Sequence, residues 1–244
     1  MLPGQHNTMD VWGAIYRAQF SGRVAMHEIE RDDGRVETFE SAANYFTCPR
    51  TSAERELLGG LKGPVLDVAA GAGSYTLYLQ GLGVDVTAAE HSAGAMEVCR
   101  ARGCQRVMPI DLRAVELEPA AFGSIIVMGN TLGAHQTPDT MPDFLRALRR
   151  ALKPSGHLLF TMIDPLDTTD EGHLRYQRQN RTVGRPPGLI RMRIKYEGMS
   201  EPWMHLWMLT DDELASLSSE TGWVLAEERR DGIWRTRLLQ SKAS

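Results

Sequence analysis

Three carboxylates in the middle of the chain each follow a short apolar run: Asp67 in "VLDV", Glu90 at the end of "VDVTAAE" and Asp111 at the end of "VMPID". Between the first two lies a turn of small residues, Ala69-Ala70-Gly71-Ala72-Gly73, and a helical pattern starts at Tyr75. A strand that runs through glycines into a helix start presents free backbone N–H groups to a ligand, and such turns hold nucleotides. The neighbouring side chains decide which nucleotide. A phosphate-binding loop needs Gly-Lys-Ser/Thr, which is absent. A dinucleotide turn needs a third glycine where Thr76 stands, and Asp67 before the turn would repel a pyrophosphate. The same acid suits a ligand that is cationic and carries no phosphate.

S-adenosylmethionine has a sulfonium, an ammonium group and no phosphate, and the remaining acids fit it. Glu90 stands 23 residues after Asp67, where a carboxylate accepts both ribose hydroxyls. Asp111 is placed to accept from the adenine amine, with the Leu112 N–H as donor, and His91 can lie along the adenosine.

The elements that must position these groups alternate. Strands are expected at 65–68, 84–89, 104–109, 124–128 and 157–163, with helices at 74–81, 92–102 and 138–152. The last helix is the clearest, with Met141, Phe144, Leu145, Leu148 and Leu152 at helical spacing and Pro138 in its first turn. An earlier helix begins at Thr51, with Glu54 at capping-box spacing. Such alternation means a mostly parallel sheet with helices on both faces, and ligands beyond the carboxyl ends of its strands. Residues 164–209 break the pattern; "LIRMRIKY" and "PWMHLWML" alternate at strand period and suggest a hairpin. A helix at 211–220 and strands at 223–229 and 233–240, around an Asp231-Gly232 turn, complete the chain. The expected fold is α/β, Rossmann-like and doubly wound. Its seven-stranded sheet is mostly parallel with an antiparallel last strand, and carries an inserted β-hairpin and an N-terminal helical cover. The expected division is a cover at 1–50, a cofactor-binding core at 51–163, an insertion at 164–209 and a completion of the sheet at 210–244.

The acceptor side is read from the residues just beyond the later strands and from the cover. Gly129 permits close backbone approach, and Asn130 offers an amide to cofactor or acceptor. His135, five residues beyond Asn130, is the candidate general base, since an ordinary imidazole takes a proton near neutrality. Asp164 can orient a substrate amine. Tyr16, Tyr45 and Phe46 in the cover can attract a sulfonium or ammonium through their ring faces. Trp203 and His205, on one strand face with Trp207, can wall an acceptor pocket. Packing or capping alone also accounts for each of these residues.

The wider pattern resembles the class I S-adenosylmethionine-dependent methyltransferases. "LDVAAGAG" stands where that family has D-x-G-x-G-x-G, with Ala69 replacing the first glycine. The run from "YFTCP" through "MGNTLG" to "NRTVGRPPGLIRMRIKY" resembles a bacterial subgroup acting on small molecules. The resemblance implies S-adenosyl-L-methionine as cofactor, S-adenosyl-L-homocysteine as product, and N- or O-methylation of a small-molecule acceptor, in secondary metabolism, by direct displacement. The rivals are a non-catalytic cofactor-binding scaffold and an RNA enzyme, the latter suggested by seven basic and no acidic residues in 172–196. A net charge of −4 argues against nucleic acid as partner. No Asn-Pro-Pro-Tyr follows the fourth strand, so base or glutamine N-methylation is not expected; Gly129-Asn130 stands where a magnesium-dependent catechol enzyme keeps an acid, and Asp164 is followed by Pro165, so no metal is expected. Three cysteines without a CxxC pair, no leader and no long apolar run point to a cytoplasmic protein off the membrane; a homodimer is compatible with all of this.

Overall fold

The computed structural model describes residues 10–40 and 45–242; parts of the expected cover, residues 1–9 and 41–44, lie outside them. In chain order the helices are α1 (Val11–Phe20), α2 (Ser52–Gly59), α3 (Ser74–Gly81), α4 (Ala93–Arg102), α5 (Met141–Ala151), α6 (Glu171–Thr182) and α7 (Asp211–Thr221). The strands are β1 (Met26–Arg31), β2 (Val36–Glu40), β3 (Val65–Val68), β4 (Val86–Glu90), β5 (Val107–Pro109), β6 (Phe122–Val127), β7 (Leu152–Ile163), β8 (Leu189–Tyr196), β9 (Met199–Ser200), β10 (Met204–Trp207), β11 (Trp223–Asp231) and β12 (Trp234–Ser241).

Seven strands form the main sheet in the order β11-β12-β7-β6-β3-β4-β5. β3, β4, β5, β6 and β7 run parallel, while β12 pairs antiparallel to β7 and β11 antiparallel to β12. This is the expected Rossmann-like sheet with antiparallel closure. All four residues of β3 are buried, as a central strand covered on both faces requires. The amphipathic α5 lays Met141, Phe144, Leu145 and Leu148 into the core around Leu66, Ile125 and Leu158. The final hairpin turns one residue later than expected: Asp231 pairs with Trp234, so Gly232-Ile233 forms the loop.

The insertion does more than form a hairpin. β10 and β8 pair antiparallel, and β8 also pairs with β1, which pairs with β2. Among the described residues this is a second, five-stranded sheet that joins the cover to the insertion. Charge sets its register. Arg193 lies opposite Glu30 and Lys195 opposite Glu28, and ion pairs at 2.8 Å (Arg193–Glu30) and 3.6 Å (Lys195–Glu28) join them. Opposite charges directly across an antiparallel pair favour this register over its one-residue slips. The other face of β8 turns Met192 and Ile194 onto Val11, Ile15 and Ala18 of α1. α1 is thus held between the second sheet and α4. Asp10, its N-cap, accepts from Gly13 N at 2.9 Å and reaches across to Ser92 Oγ at 2.6 Å and Gly94 N at 2.7 Å.

Candidate active site

The turn after β3 is the centre of the site. Ala69, Gly71 and Gly73 all adopt left-handed backbone, with φ of 55°, 57° and 76°. Glycine enters that region freely, whereas alanine in it costs about 1–2 kcal/mol. The strain falls at the position where the resembled motif has a glycine. Asp67 is 2 % exposed and accepts from Thr76 Oγ1 at 2.7 Å. Burial drives its carboxyl up to about 7 against the pull of the Thr76 hydrogen bonds, and the Glu90 charge pushes the same way. An acid held half-neutral in this way ionises readily when a cation arrives.

Glu90 closes the turn from β4. One oxygen accepts from Gly71 N at 2.8 Å; the other accepts from His91 N at 2.8 Å and Ser92 N at 2.9 Å and lies 2.9 Å from His91 Nδ1. Burial raises this carboxyl, but the His91 contact and the backbone donors outweigh it and hold it below its ordinary value. The side chain is therefore a fixed carboxylate, and the oxygen facing Gly71 keeps a lone pair for a further donor. Asp111 is more open; Arg113 embraces it at 2.7–3.2 Å and lowers its carboxyl to about 2. The Leu112 carbonyl is taken by Gln136 Nε2 at 2.9 Å.

The structure brings Tyr16 to this turn. A Cβ on Gly71 would stand 2.9 Å from its hydroxyl. Tyr16 stacks with Trp12 at 5.6 Å and meets Tyr45 edge-on at 5.6 Å, with Phe46 at 6.4 Å. Two contributors to this aromatic cover carry no sequence signal. Arg102 donates to Ala72 O at 2.6 Å and Phe46 O at 3.1 Å and lies over the Phe46 ring, so it ties turn to cover. His27 is 1 % exposed against Trp12 and Phe39 with neither ring nitrogen partnered, and burial lowers its pKa to about 4.

The loop after β6 departs from its expected role. Gly129 (φ 72°) and Asn130 (φ 65°) are both left-handed, and Gly129 N donates to Thr161 Oγ1. Asn130 spends its amide oxygen on Ile163 N at 2.8 Å, so it braces β7 rather than offering that oxygen to a ligand. His135 is anchored through its N–H to His205 O at 2.8 Å. Burial first, then the charges of His91 and Arg113, lower its pKa to about 4, with Asp111 opposing. The charges that act on His135 include those of His91 and Asp111, the residues expected beside the adenosine, and a conjugate acid of that strength makes a weak base. His135→Ala is expected to weaken S-adenosylhomocysteine binding by roughly threefold to tenfold, the scale of one neutral hydrogen bond. A neutral imidazole with pKa near 4 also imposes no rate inflection between pH 6 and 8. Calorimetry and a pH–rate profile check both; an unchanged affinity with turnover down about 100-fold and an inflection near the ordinary imidazole value of about 6.5 would restore the general base.

The acceptor residues separate. Asp164, just beyond β7, caps its own turn by accepting from Leu166 N at 2.9 Å and also lines a cavity of about 160 Å³ with Arg31, Ile163, His173, Tyr176 and Ile190. Tyr16, Tyr45, Phe46, Asn130 and His135 are not on that lining. Trp203 lies under the guanidinium groups of Arg191 and Arg193, His205 is exposed, and Trp207 is buried in the main core; a shared pocket wall is not formed. Arg31 is 6 % exposed in the cavity wall, paired with Asp33 at 2.7 Å and lying over the Tyr176 ring at 4.2 Å. Asp167 is likewise neutralised by Arg235 at 2.9 Å.

Residues 65–156 match the family model of the methyltransferase domain. No curated protein matches the sequence. Among solved structures, an S-adenosylmethionine-dependent methyltransferase from Bacteroides fragilis, in complex with S-adenosyl-L-homocysteine, superposes with a TM-score of 0.80. It is 22% identical and covers 96% of this chain and 95% of its own. An amino pentose methyltransferase of calicheamicin biosynthesis from Micromonospora echinaspora gives 0.54 at 17% identity, covering 78% of this chain and 88% of its own. A 1,6-didemethyltoxoflavin-N1-methyltransferase from Burkholderia thailandensis gives 0.51 at 18% identity, covering 78% and 75%. The chain therefore carries a methyltransferase domain at residues 65–156 on the fold of the S-adenosylmethionine-dependent class. S-adenosylmethionine is the methyl donor of this class, and the buried acid, left-handed turn and fixed Glu90 carboxylate suit it. Among the described residues no helix is long and apolar enough to cross a membrane.

Proposed function

We propose that this chain methylates a nitrogen or oxygen of a small-molecule acceptor, with an amine favoured. The observation that carries the acceptor class is the cavity beside Asp164. The arginine in its wall, Arg31, is neutralised by Asp33, the lining carboxylate Asp167 is paired with Arg235, and among the described residues the Asp164 carboxylate has no arginine or lysine within ion-pair distance. A cavity with a spare carboxylate and aromatic and aliphatic walls favours a cationic or hydrogen-bond-donating acceptor. The amino pentose and toxoflavin enzymes, both named for small acceptors, support the same reading, and their secondary-metabolite setting is proposed here as well. The pairing of Arg193 and Lys195 with Glu28 and Glu30 leaves the basic strand little charge for a phosphate backbone, which favours a small acceptor over RNA.

In this division of labour, residues 51–163 with 210–244 hold the donor, and residues 1–50 with 164–209 cover and select the acceptor. The bound donor supplies an already activated methyl group. The chain's residues then have to align the nucleophile and exclude water, rather than activate a leaving group. Tyr16 and Trp12 shield the turn, and Asp67 balances positive charge at its base. A cytoplasmic location fits cysteines that stand as free thiols in the structure. Incubating the purified protein with labelled S-adenosylmethionine and panels of amines, hydroxylated metabolites and RNA tests the proposal. It predicts label transfer to an amine or hydroxyl compound; transfer to RNA, or to no small molecule in a panel that spans these classes, would overturn it.

The Asp67 carboxyl gives a further expected result. Its pKa near 7 in the free protein should fall when the cationic donor binds, because the charged form gains a partner. Linkage then requires proton release on binding, and affinity should rise by up to about tenfold from about pH 6 to about pH 8. Calorimetry in buffers of different ionisation enthalpy detects the proton, and Asp67→Asn should remove both effects. A pH-independent affinity in the native chain would place the cation elsewhere.

A further inference from the structure

The glycine turn rests on two thiols. Cys99 in α4 is fully buried, and its sulfur lies 3.0 Å from the Gly71 carbonyl oxygen. Cys104, just past the helix end, is 6 % exposed, and its sulfur lies 3.8 Å from the Gly73 carbonyl oxygen. Both sulfurs crowd the same point. A Cβ on Gly73 would overlap the Cys104 sulfur and stand 3.1 Å from the Cys99 sulfur. The backbone also brings the pair together: Gly103 ends the helix in left-handed conformation, and Cys104 N donates to Cys99 O at 3.0 Å. That reversal brings the two cysteine backbones into hydrogen-bond contact, the kind of close approach a disulfide needs. The thiols also differ in character. Hydrogen bonding from Cys99, with help from the Arg102 charge, lowers the Cys104 thiol, whereas the same contact and burial raise that of Cys99.

We propose that Cys99 and Cys104 form a reversible disulfide that weakens donor binding by disturbing the turn above them. The inference rests on the reading of that turn as the donor site. The oxidant is hydrogen peroxide. The Cys104 thiolate attacks its distal oxygen and breaks the O–O bond, leaving a sulfenic acid and, after protonation, one water. The Cys99 thiol then attacks the sulfenic sulfur, the S–S bond forms, and the hydroxyl leaves as a second water. Two thiols lose two hydrogens and two electrons in total, and the peroxide is reduced by two. The oxidised pair has no S–H for the Gly71 carbonyl. The sulfurs must also close to bonding distance beneath Gly73, which moves the chain on which Gly71 N meets Glu90.

Titrating the full chain with S-adenosylhomocysteine by calorimetry, before and after mild hydrogen peroxide, tests this. Oxidation is expected to remove two hydrogens from the intact mass, to link the peptides holding Cys99 and Cys104, and to weaken binding about tenfold, with recovery in dithiothreitol. Cys99→Ser and Cys104→Ser should each lose the response to peroxide relative to their own untreated affinity, and Cys48→Ser should keep it. A linked pair with unchanged affinity, or no link at peroxide levels that oxidise exposed methionines, would overturn the proposal. Failure of the reduced chain to bind S-adenosylhomocysteine would instead strike the functional reading.

Discussion

Gly71→Ala is expected to reduce S-adenosylmethionine binding by about 100-fold while leaving the chain folded. Conformation alone does not forbid the substitution, since Ala69 already holds φ at 55° two residues earlier. The obstacle is the new methyl group. It would stand 2.9 Å from the Tyr16 hydroxyl and 3.3 Å from the ring carbon bearing it, and Tyr16 is packed between Trp12, Tyr45 and Phe46. A Tyr16 ring so enclosed cannot step aside cheaply, so the turn must give way. The turn carries the Gly71 N–H that Glu90 holds at 2.8 Å, and moving it disturbs the carboxylate as well. Overlap of one methyl group in a packed site costs about 1–3 kcal/mol, to which left-handed alanine adds about 1–2 kcal/mol. Together these reach the level of about 100-fold at roughly 1.4 kcal/mol per decade. Tyr16→Phe in the same chain should recover part of the loss, because it removes the nearest atom. Calorimetry with circular dichroism checks both variants; a Gly71→Ala chain that binds within about tenfold of the native one would separate the turn from the donor.

This part of the site was legible because its signals are local. A fully buried four-residue strand, small residues at left-handed positions and an acid at each strand end all depend on neighbours in sequence. The parallel order of the sheet followed from alternation alone. The β1–β2 half of the second sheet and α6 were not legible, for a physical reason. β1, "MHEIER", owes its stability to partners across the sheet, Arg193 and Lys195, that lie more than 160 residues away. α6 buries Tyr176, Gln177 and Asn180 rather than an apolar stripe, with Gln177 and Asn180 donating to the Pro165 and Leu189 carbonyls. A helix whose buried face is polar and hydrogen-bonded leaves no hydrophobic period to read. His135 illustrates the same limit at the level of chemistry. Its position after β6 suggested a base, but burial beside His91 and Arg113, set by long-range packing, moves its pKa far from the neutral range.

Glu90→Ala is expected to weaken S-adenosylmethionine binding by about 1–3 kcal/mol, or roughly 5–150-fold, the scale of a charge-assisted hydrogen bond lost in a buried site. Two losses contribute. The first is the acceptor for the ribose hydroxyls, for which the oxygen facing Gly71 has a lone pair in reserve. The second is order in the turn, since the same side chain accepts from Gly71, His91 and Ser92. Glu90→Gln separates them. The amide keeps one oxygen and the shape of the side chain but must point an NH₂ at backbone donors, so it should retain the fold and still lose most of the affinity. A 2′-deoxy analogue of S-adenosylhomocysteine assigns the contact to the sugar: it should bind the native chain more weakly than the parent compound, and Glu90→Ala should no longer distinguish the two. Equal discrimination by native and Glu90→Ala chains would mean that Glu90 acts through the turn alone. An unchanged dissociation constant in a folded Glu90→Ala chain would remove it from the site, and tighter binding of NAD than of S-adenosylmethionine by the native chain would displace the donor assignment, because Asp67 at the base of the turn is compatible with a sulfonium and not with a pyrophosphate.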